Sequence, residues 1–337
     1  MYLGGLDCFN LRTRTFRHFR VSDPTQMVSD NHLTKLIPAG DTAMWIIYPR
    51  NKQQLTYVNL HTEQAQHIDV SFSESGYEYQ NFVDATAADS GLFLATGTHV
   101  FYVGRDIHNL QPVASIVGPV SSLYYDTNTH ELWVGTQKHG VSVFHFREDA
   151  PLSSHVVDSI YSYTSFLQYD DPTVYSIIRD RNNHLWMGTD KGLIRYVPAS
   201  DKTTLFDASD NLQSSTFFPR SVACSAEGEL FFGGNEGFSS VFPDRVQLNP
   251  VGPRVLLSEH PLNSRIRYQD NTVSFTLACT NFYRSSKNRY RYRLVGDSPV
   301  WQHTDSRHRT ITYSHLPIGR YRLEVCAANN DGIRPRF

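Results

Sequence analysis

The feature that most constrains this chain is a motif that recurs six times before residue 243. An aromatic residue begins each copy, a hydrophobic residue and a small pair follow, and a second hydrophobic run comes after a turn. The copies are MYLGGLDCFN, MWIIYPRNKQQLTYVNL, LFLATGTHVFYVG, LWVGTQKHGVSVFHF, LWMGTDKGLIRYV and LFFGGNEGFSSVF. Their aromatic residues, Tyr2, Trp45, Phe93, Trp133, Trp186 and Phe231, are spaced by 43, 48, 40, 53 and 45 residues. Each interval has the length of a four-stranded blade, so the repeat predicts a β-propeller.

The fifth copy shows the predicted blade most fully. Its four runs, 173–180, 184–190, 191–198 and 203–208, alternate apolar and polar side chains as half-buried strands do. The first copy has segments for strands two to four, and the last has segments for strands one to three. Joining these ends would duplicate two strands. We therefore expect about six repeats of an incomplete seven-bladed ring, with upstream sequence absent.

The period ends at a linker, 249–253, after which seven short strand-like runs follow. They are RVLLSEH, SRIRYQD, TVSFTLACT, NRYRYRLVG, VWQHT, RTITYSHLP and GRYRLEVCAANNDG. Short runs separated by turn signals are typical of an antiparallel sandwich. The predicted chain is thus all-β, with a partial β-propeller over 1–249 and an Ig-like or fibronectin-like, tyrosine-rich β-sandwich over 250–337 that lacks its last strand.

Composition argues against several classes of partner. The 31 Lys and Arg nearly balance the 33 Asp and Glu, so a net charge of −2 gives no reason to expect nucleic acid or an anionic membrane. No apolar run reaches the roughly 18 residues of a membrane helix, and the N-terminus lacks a signal-peptide pattern. The chain is either cytoplasmic or has its membrane segments elsewhere. Strand parity places Cys279 and Cys326 on opposite faces, so we expect free thiols.

The sequence contains no recognisable catalytic or metal-binding motif. The 15 histidines show no HxH or HExxH spacing, and GxSxG, P-loop, GxGxxG and SxDxGxTW motifs are absent. We therefore expect no catalytic residues, no metal, no cofactor and no enzymatic activity. Convergent carboxylates leave open a propeller hydrolase or lyase acting on glycans, and a protein-binding scaffold is a third reading.

Candidate ligand contacts lie in the turns between second and third strands. Loops on one face of a propeller surround the mouth of its channel, where ligands bind in many propellers. For each such residue a solvated turn is the alternative reading, whereas the repeat tryptophans Trp133 and Trp186 are expected to wedge between blades as core. The candidates are Lys138, His139, Asp190, Lys191, Asn235 and Glu236, together with the adjacent Phe217 and Phe218, which we expect to be exposed.

In the sandwich, tyrosine and arginine alternate along one predicted strand, so the two residue types lie on opposite faces of it. Tyr290 and Tyr292 are expected in the core, and Arg289, Arg291 and Arg293 on the opposite face. The arginine row is a candidate dimer or relay surface, with a solvated face as the alternative. Tyr321 is expected to form a tyrosine corner.

Two parts of the sequence resemble one family. LWMGTDKGLIRY resembles the regulator-propeller repeat of bacterial two-component sensors, and YRYRLVG with TYSHLPIGRYRLEVCAANNDG resembles the tyrosine-rich sandwich that follows those propellers. The second and third copies depart from the motif, since Trp45 is followed by IIYP and the third copy reads GTHVFY. The matching sandwich positions are Tyr290, Tyr292, Leu294, Gly296, Trp301, Tyr313, Leu316, Pro317, Gly319, Tyr321, Asn329, Asn330, Asp331 and Gly332.

The resemblance implies the periplasmic, ligand-sensing region of a hybrid two-component system of the Bacteroidetes type. Such a region would detect an oligosaccharide and relay the signal through the sandwich. The parent protein would be a homodimer, with its membrane helix, its histidine kinase activity and its phosphorelay domains in segments that this chain does not include.

Overall fold

The computed structural model describes residues 4–24, 26–48, 54–72, 81–88, 91–104, 109–147, 157–163, 172–258, 265–267 and 272–335. The chain divides into two compact units, Met1–Pro243 and Asp244–Phe337. Almost all of the regular structure is β-strand, and the helical segments are three-residue 3₁₀ turns. Among the described residues there is no helix of the length and apolarity that crossing a bilayer requires.

The first unit is a series of antiparallel sheets formed by strands that are consecutive in the chain. In chain order its strands are β1 (Leu6–Asn10), β2 (Thr15–Phe19), β3 (Lys35–Pro38), β4 (Ala43–Ile47), β5 (Gln54–Asn59), β6 (Gln64–Asp69), β7 (Ser71–Phe72), β8 (Asp84–Ala88), β9 (Gly91–Ala95), β10 (His99–Gly104), β11 (Asn109–Ser115), β12 (Val120–Asp126), β13 (Glu131–Thr136), β14 (Val141–Phe146), β15 (Val157–Tyr163), β16 (Val174–Arg179), β17 (Leu185–Thr189), β18 (Leu193–Val197), β19 (Lys202–Phe206), β20 (Phe217–Cys224), β21 (Leu230–Gly234) and β22 (Gly237–Val241).

These strands make five blades and a hairpin. Blade 1 is β3–β6, blade 2 is β8–β11 with the short β7 parallel to β11, blade 3 is β12–β15, blade 4 is β16–β19, and blade 5 is the three-stranded β20–β22. The first strands β3, β8, β12, β16 and β20 contact one another in that order, so they are the inner strands. All four strands predicted for the fifth copy are present, as blade 4, and the propeller prediction is confirmed.

The first copy of the motif forms a hairpin, not a blade. Among the described residues its strands β1 and β2 pair with each other alone, and they pack on blade 1, where Leu6 and Phe19 meet Ile46 and Val58. The six predicted copies therefore give five blades. Within the described residues, the hairpin supplies two strands at the position of a preceding blade. The segment YLGG would be strand two of that blade, and its first half, Tyr2 and Leu3, lies outside the described residues.

Large side chains from the second strands of blades 1 to 3 pack against the blade that follows. Trp133 and Trp186 are 2% and 0% exposed. Trp133 of blade 3 packs among Val174, Leu185 and Tyr196 of blade 4. A buried ring cannot offer its face to a sugar, so the prediction that these tryptophans are core is confirmed.

A glycine in the second strand lets the next blade approach closely. A β-carbon on Gly188 would lie 3.2 Å from the β-carbon of Phe217 in blade 5, and one on Gly135 would lie 2.9 Å from the carbonyl oxygen of Val174 in blade 4. The side chains of Ser121 and Ser122 both donate to that carbonyl at 2.7 Å. The inner strands are therefore joined through hydrogen bonds as well as apolar contacts.

The second unit is a sandwich of two three-stranded antiparallel sheets. Its strands are β23 (Val255–Ser258), β24 (Val273–Cys279), β25 (Arg289–Val295), β26 (Gln302–Asp305), β27 (Thr310–Tyr313) and β28 (Arg322–Ala328), paired as β23–β24–β27 and β26–β25–β28. Leu277, Tyr290, Ile311 and Ala327 form the core between the sheets. The prediction of a sandwich is confirmed, and the predicted strand at 264–270 lies outside the described residues except for 265–267.

The predicted linker, 249–253, belongs to the sandwich. The Asn249 amide donates to Asp331 Oδ2 at 2.6 Å, and the Asn329 side chain donates to the carbonyl oxygens of Asn249 and Val251 at 2.8 and 2.9 Å. The boundary after Pro243 therefore comes six residues before the predicted one at 249/250, because these hydrogen bonds hold the segment to the last turn of the second unit.

Candidate ligand-binding site

The predicted candidates in the turns of blades 3, 4 and 5 lie on one face of the first unit. The turn after β13 is tied to the start of an inner strand by a hydrogen bond of 2.9 Å from Gln137 N to Pro119 O. In blade 4, Thr173 N donates to Asp190 Oδ1 at 2.8 Å. In blade 5, Phe217 pairs with Gly234, directly before Asn235. We call this face, formed by the starts of the inner strands and the adjoining turns, the channel mouth.

Most of the turn residues present their side chains to solvent at this mouth. Lys138 and His139 are exposed in blade 3, as are Lys191 in blade 4 and Asn235 and Glu236 in blade 5. His139 Nδ1 lies 2.8 Å from the carbonyl oxygen of Gln137, so the ring donates through Nδ1 and a neutral imidazole leaves Nε2 as an acceptor. The mouth therefore carries both donors and acceptors.

Asp190 differs from the other turn residues. Its Oδ1 accepts from Thr173 N and its carbonyl oxygen accepts from Thr216 Oγ1 at 3.5 Å, which connects the turn to two inner strands or their approaches. The side chain is only partly exposed. Asp190 thus positions the turn, and one carboxylate oxygen is already engaged within the protein.

The prediction that Phe217 is exposed is wrong. Phe217 is 1% exposed, and its ring packs 5.8 Å from that of Phe232. The next residue, Phe218, is 46% exposed. Successive side chains of a strand point in opposite directions, so an adjacent pair cannot present both rings to the same solvent-facing side. Only Phe218 remains a candidate contact.

A bulge in β20 brings a residue to the mouth that sequence reasoning missed. Phe217 pairs with Gly234 and Val222 with Phe232, so four residues, 218–221, lie opposite a single residue of β21. Within the bulge Arg220 has φ +61°, and its guanidinium donates to the carbonyl oxygen of Val83. Val83 directly precedes β8, so this contact runs from blade 5 to blade 2. Pro219 was the available signal, because proline inside a strand-like run marks a bulge or an edge.

A buried carboxylate joins the inner strands of blades 1, 2 and 3. Asp84, 1% exposed, accepts from Lys35 Nζ at 2.8 Å and from Leu123 N at 2.7 Å. Both Asp84 oxygens are therefore used within the protein. The ion pair of Lys35 and Asp84 is a structural link at the mouth, and the two charges compensate each other.

A second charged cluster lies between blades 3 and 4. Arg179 forms ion pairs with Asp126 at 2.5 Å and with Glu131 at 2.8 Å, and Glu131 also accepts from Trp133 Nε1 at 3.0 Å. Burial, reinforced by the Asp126 charge, raises the pKa of the neighbouring Tyr124 to about 12. Every one of these groups has a partner in the cluster, so it serves to hold the blades together.

Two histidines in the turns that precede second strands, His184 and His130, make contacts within the protein. His184 Nδ1 lies 3.2 Å from Asp180 Oδ2, which also accepts from Trp186 Nε1 at 2.8 Å. His130 Nδ1 lies 3.1 Å from the Tyr125 hydroxyl. Within the described ranges no three His, Cys, Asp or Glu side chains come together as metal ligands. All four cysteines are free thiols.

The arginine row of β25 lies on the outer face of the sandwich, and Tyr290 on β25 is in the core. Arg291 and Arg293 each place their guanidinium 4.7 Å from the centre of the Trp301 ring. Arg293 also pairs with Glu324 at 2.7 Å. The row is therefore partly covered, and two of its three members hold Trp301 in place. The predicted tyrosine corner is confirmed, since Tyr321 donates to the carbonyl oxygen of Pro317 at 2.7 Å.

Two family models match the chain. The Two component regulator propeller model matches residues 168–191, which include β16 and β17, and the Y_Y_Y domain model matches residues 281–336, which include β25–β28. The repeat and the tyrosine-rich sandwich thus occur in the predicted order. They define the class of this chain, an all-β region that combines a regulator propeller with a Y_Y_Y domain.

Several known proteins resemble this chain. The chain is similar to the extracellular domains of two hybrid two component systems of B. thetaiotaomicron, BT3049 (17% identity, TM-score 0.70, 100% of this chain and 46% of that one) and BT4673 (18%, 0.51, 99% and 46%). It is 26% identical over 183 residues to Histidine kinase P4 of Formosa agariphila, which covers 48% of this chain. The predicted resemblance to the sensor region of hybrid two-component systems is confirmed. The chain spans less than half of each solved relative and 13% of the curated one.

Proposed function

We propose that this chain is the periplasmic ligand-sensing region of a hybrid histidine kinase and that it binds an oligosaccharide at the channel mouth. The observation that carries the proposal is the repeated placement of exposed polar side chains on equivalent turns of three successive blades. Lys138, Lys191 and Glu236 share this face with the exposed ring of Phe218. Turns on a rigid propeller scaffold are where ligand contacts are usually found.

The chemistry of the mouth suits a carbohydrate. Sugar hydroxyls both donate and accept, which matches a set that includes two lysines, an asparagine, a glutamate and a histidine acceptor. An exposed aromatic ring covers the apolar C–H face of a sugar ring. Trp133 and Trp186 are excluded from that role by their burial, so Phe218 is the aromatic contact that the proposal uses.

A non-enzymatic role fits the way the carboxylates are used. Asp84 and Asp126 are buried with cationic partners, and Asp190 holds a turn. General acid–base hydrolysis of a glycoside needs two carboxyl groups flanking the scissile bond. Glu236 is the one carboxylate among the proposed contacts that remains exposed. We therefore expect binding without turnover.

The experiment is a titration of the purified chain with a panel of neutral and acidic oligosaccharides, followed by assay of reducing ends and unsaturated products. We expect one class of glycan to bind with no product above a buffer control. A Lys138→Ala, Lys191→Ala variant should bind at least about fivefold more weakly if each lysine contributes one hydrogen bond. Lys202→Ala, on the outer strand of blade 4, is the control. Product formation would favour the hydrolase or lyase, and no binding to any glycan would contradict the proposal.

We also propose that the outer face of β25 contributes to dimerisation or relay in the parent protein. Arg289 is the member of the row best suited to test this, because Arg291 and Arg293 also support Trp301. Analytical ultracentrifugation should show weaker self-association for Arg289→Ser than for the parent chain. Arg307→Ser, an exposed arginine beyond the strand, is the control. Identical monomeric profiles for all three proteins would remove this proposal.

A further inference from the structure

We propose that Arg220 makes the channel mouth selective for oligosaccharides that carry an acidic group, a carboxylate or a sulfate. The inference rests on the proposed function and deepens it, since it names the class of glycan. It begins from a backbone observation. Arg220 has φ +61°, a left-handed conformation that residues other than glycine rarely adopt and that costs free energy. The surrounding bulge holds an arginine there although glycine would fit more readily.

Among the described residues, the guanidinium that the bulge positions donates one N–H to the carbonyl oxygen of Val83, a neutral acceptor. A guanidinium has five N–H donors in a planar fork, and its strongest partners are carboxylate, sulfate and phosphate groups that accept two parallel hydrogen bonds. An acidic sugar at the mouth would offer Arg220 such an acceptor beside Phe218.

The other charges at the mouth favour the same class of ligand. Lys138 and Lys191 are exposed on the adjoining turns. Of the acidic residues, Asp84 is neutralised by Lys35, and Asp190 has one oxygen bound to Thr173 N. Glu236, exposed on the turn of blade 5, opposes these cations. Among the described turn residues of the mouth, the exposed cations Lys138 and Lys191 therefore outnumber the exposed carboxylates.

The test uses oligosaccharide pairs that differ only in the acidic group, namely xylo-oligosaccharides with and without a glucuronic acid branch and galacto-oligosaccharides with and without a sulfate ester. The full chain should bind the acidic member of a pair more tightly. Arg220→Gln and Arg220→Gly should each weaken that binding by about tenfold or more, because a hydrogen-bonded charge pair is lost. Affinity for a neutral member that binds should change less than twofold.

Two controls separate recognition from a structural role. Arg220→Gly relieves the left-handed strain, so its thermal midpoint should equal or exceed that of the parent chain while acidic binding is lost. Arg181→Gln removes an arginine that also donates to a carbonyl oxygen of another blade, Ala226 of blade 5, but on the opposite face. Its acidic binding should be unchanged.

Three outcomes would overturn the inference. They are equal binding of acidic and neutral members, unchanged acidic binding in Arg220→Gln, and an equal loss in Arg181→Gln. In the first case the proposed glycan-sensing function would stand without the acidic selectivity. Failure of every glycan to bind would instead contradict the proposed function, and the inference would fall with it.

Discussion

At the scale of single residues, the same repeat position has different surroundings in successive blades. Trp186 of blade 4 is 0% exposed and donates through Nε1 to Asp180 at 2.8 Å. Phe231 of blade 5 occupies the equivalent position but is only partly buried. A repeat motif predicts which residue type stands at a position. How much that residue contributes depends on whether a neighbouring blade covers it.

This difference predicts unequal costs for equivalent substitutions. Trp186→Ala should lower the free energy of unfolding by about 3–5 kcal/mol, the usual range for a large aromatic residue deleted from a core. Phe231→Ala should cost clearly less, because less of its ring is buried. Urea denaturation followed by circular dichroism measures both. Equal losses in the two variants would contradict the conclusion that the deeper burial of Trp186 sets its contribution to stability.

His303 makes the sandwich sensitive to acid. His303 lies at an exposed strand position, where partial desolvation by its neighbours, together with the charges of Arg334, Arg291 and Arg289, lowers the pKa of its imidazole from the ordinary value of 6.5. The unfolded chain then binds more protons than the folded one between the two pKa values. The free energy of unfolding should therefore fall as the pH drops from near 6.5, and His303→Gln should flatten that part of the profile.

The measurement is thermal unfolding across pH 5 to about 8, followed by circular dichroism for both proteins. His61→Gln, a histidine on an exposed turn of the first unit, is the control and should keep the slope of the parent chain. A profile for His303→Gln that falls as steeply as that of the parent chain would contradict the role of His303.

Residue identity alone predicted some of the candidate site and missed part of it. Turn position was enough to predict that Lys138, Lys191 and Glu236 are exposed, because an exposed hairpin turn is a local property. The predicted exposure of Phe217 was wrong, because its burial depends on which way one strand residue points. Sequence reasoning also missed Arg220, since its place at the mouth requires both the bulge in β20 and the neighbouring Val83 of another blade.

At the scale of elements, the regular blades were predictable from alternation and turn residues. The runs predicted for the fifth copy contain β16, β17 and β18, and β19 begins one residue before its predicted run. The N-terminal hairpin was harder to predict. One copy of the motif indicates two strands, but it does not indicate whether the other strands of a blade form beside them. The short β7, which pairs parallel to β11, has no local signal in two residues.

Packing between blades predicts a contrast between two glycines. A β-carbon on Gly188 would lie 2.7 Å from Ser176 Oγ and 3.2 Å from the β-carbon of Phe217, whereas one on Gly97 would meet nothing within 4 Å. Gly188→Ala should therefore destabilise the chain by roughly 1–3 kcal/mol through overpacking, and Gly97→Ala should have little effect. Chemical denaturation tests both, and an equally stable Gly188→Ala would mean that blades 4 and 5 do not pack as closely as described.

At the scale of the whole molecule, a propeller and a sandwich in sequence supply two different kinds of surface. The first unit presents one face of adjoining turns, and the second holds an arginine row against Trp301. The fold and the order of the two units follow from the blade-length repeat in the sequence and from the point at which that repeat ends. The ligand does not, because turns of the same length can carry any polar side chain.

The central claim is that an oligosaccharide binds at the channel mouth, and hydrogen–deuterium exchange of the full chain tests it most directly. The chain would be compared with and without a pooled mixture of the neutral and acidic oligosaccharides used above. We predict slower exchange in the turns at 137–140, 190–192 and 235–237 and in the bulge at 218–221, with the turn at 181–183 on the opposite face unchanged. Unchanged exchange throughout the mouth, or protection confined to other segments, would contradict the account.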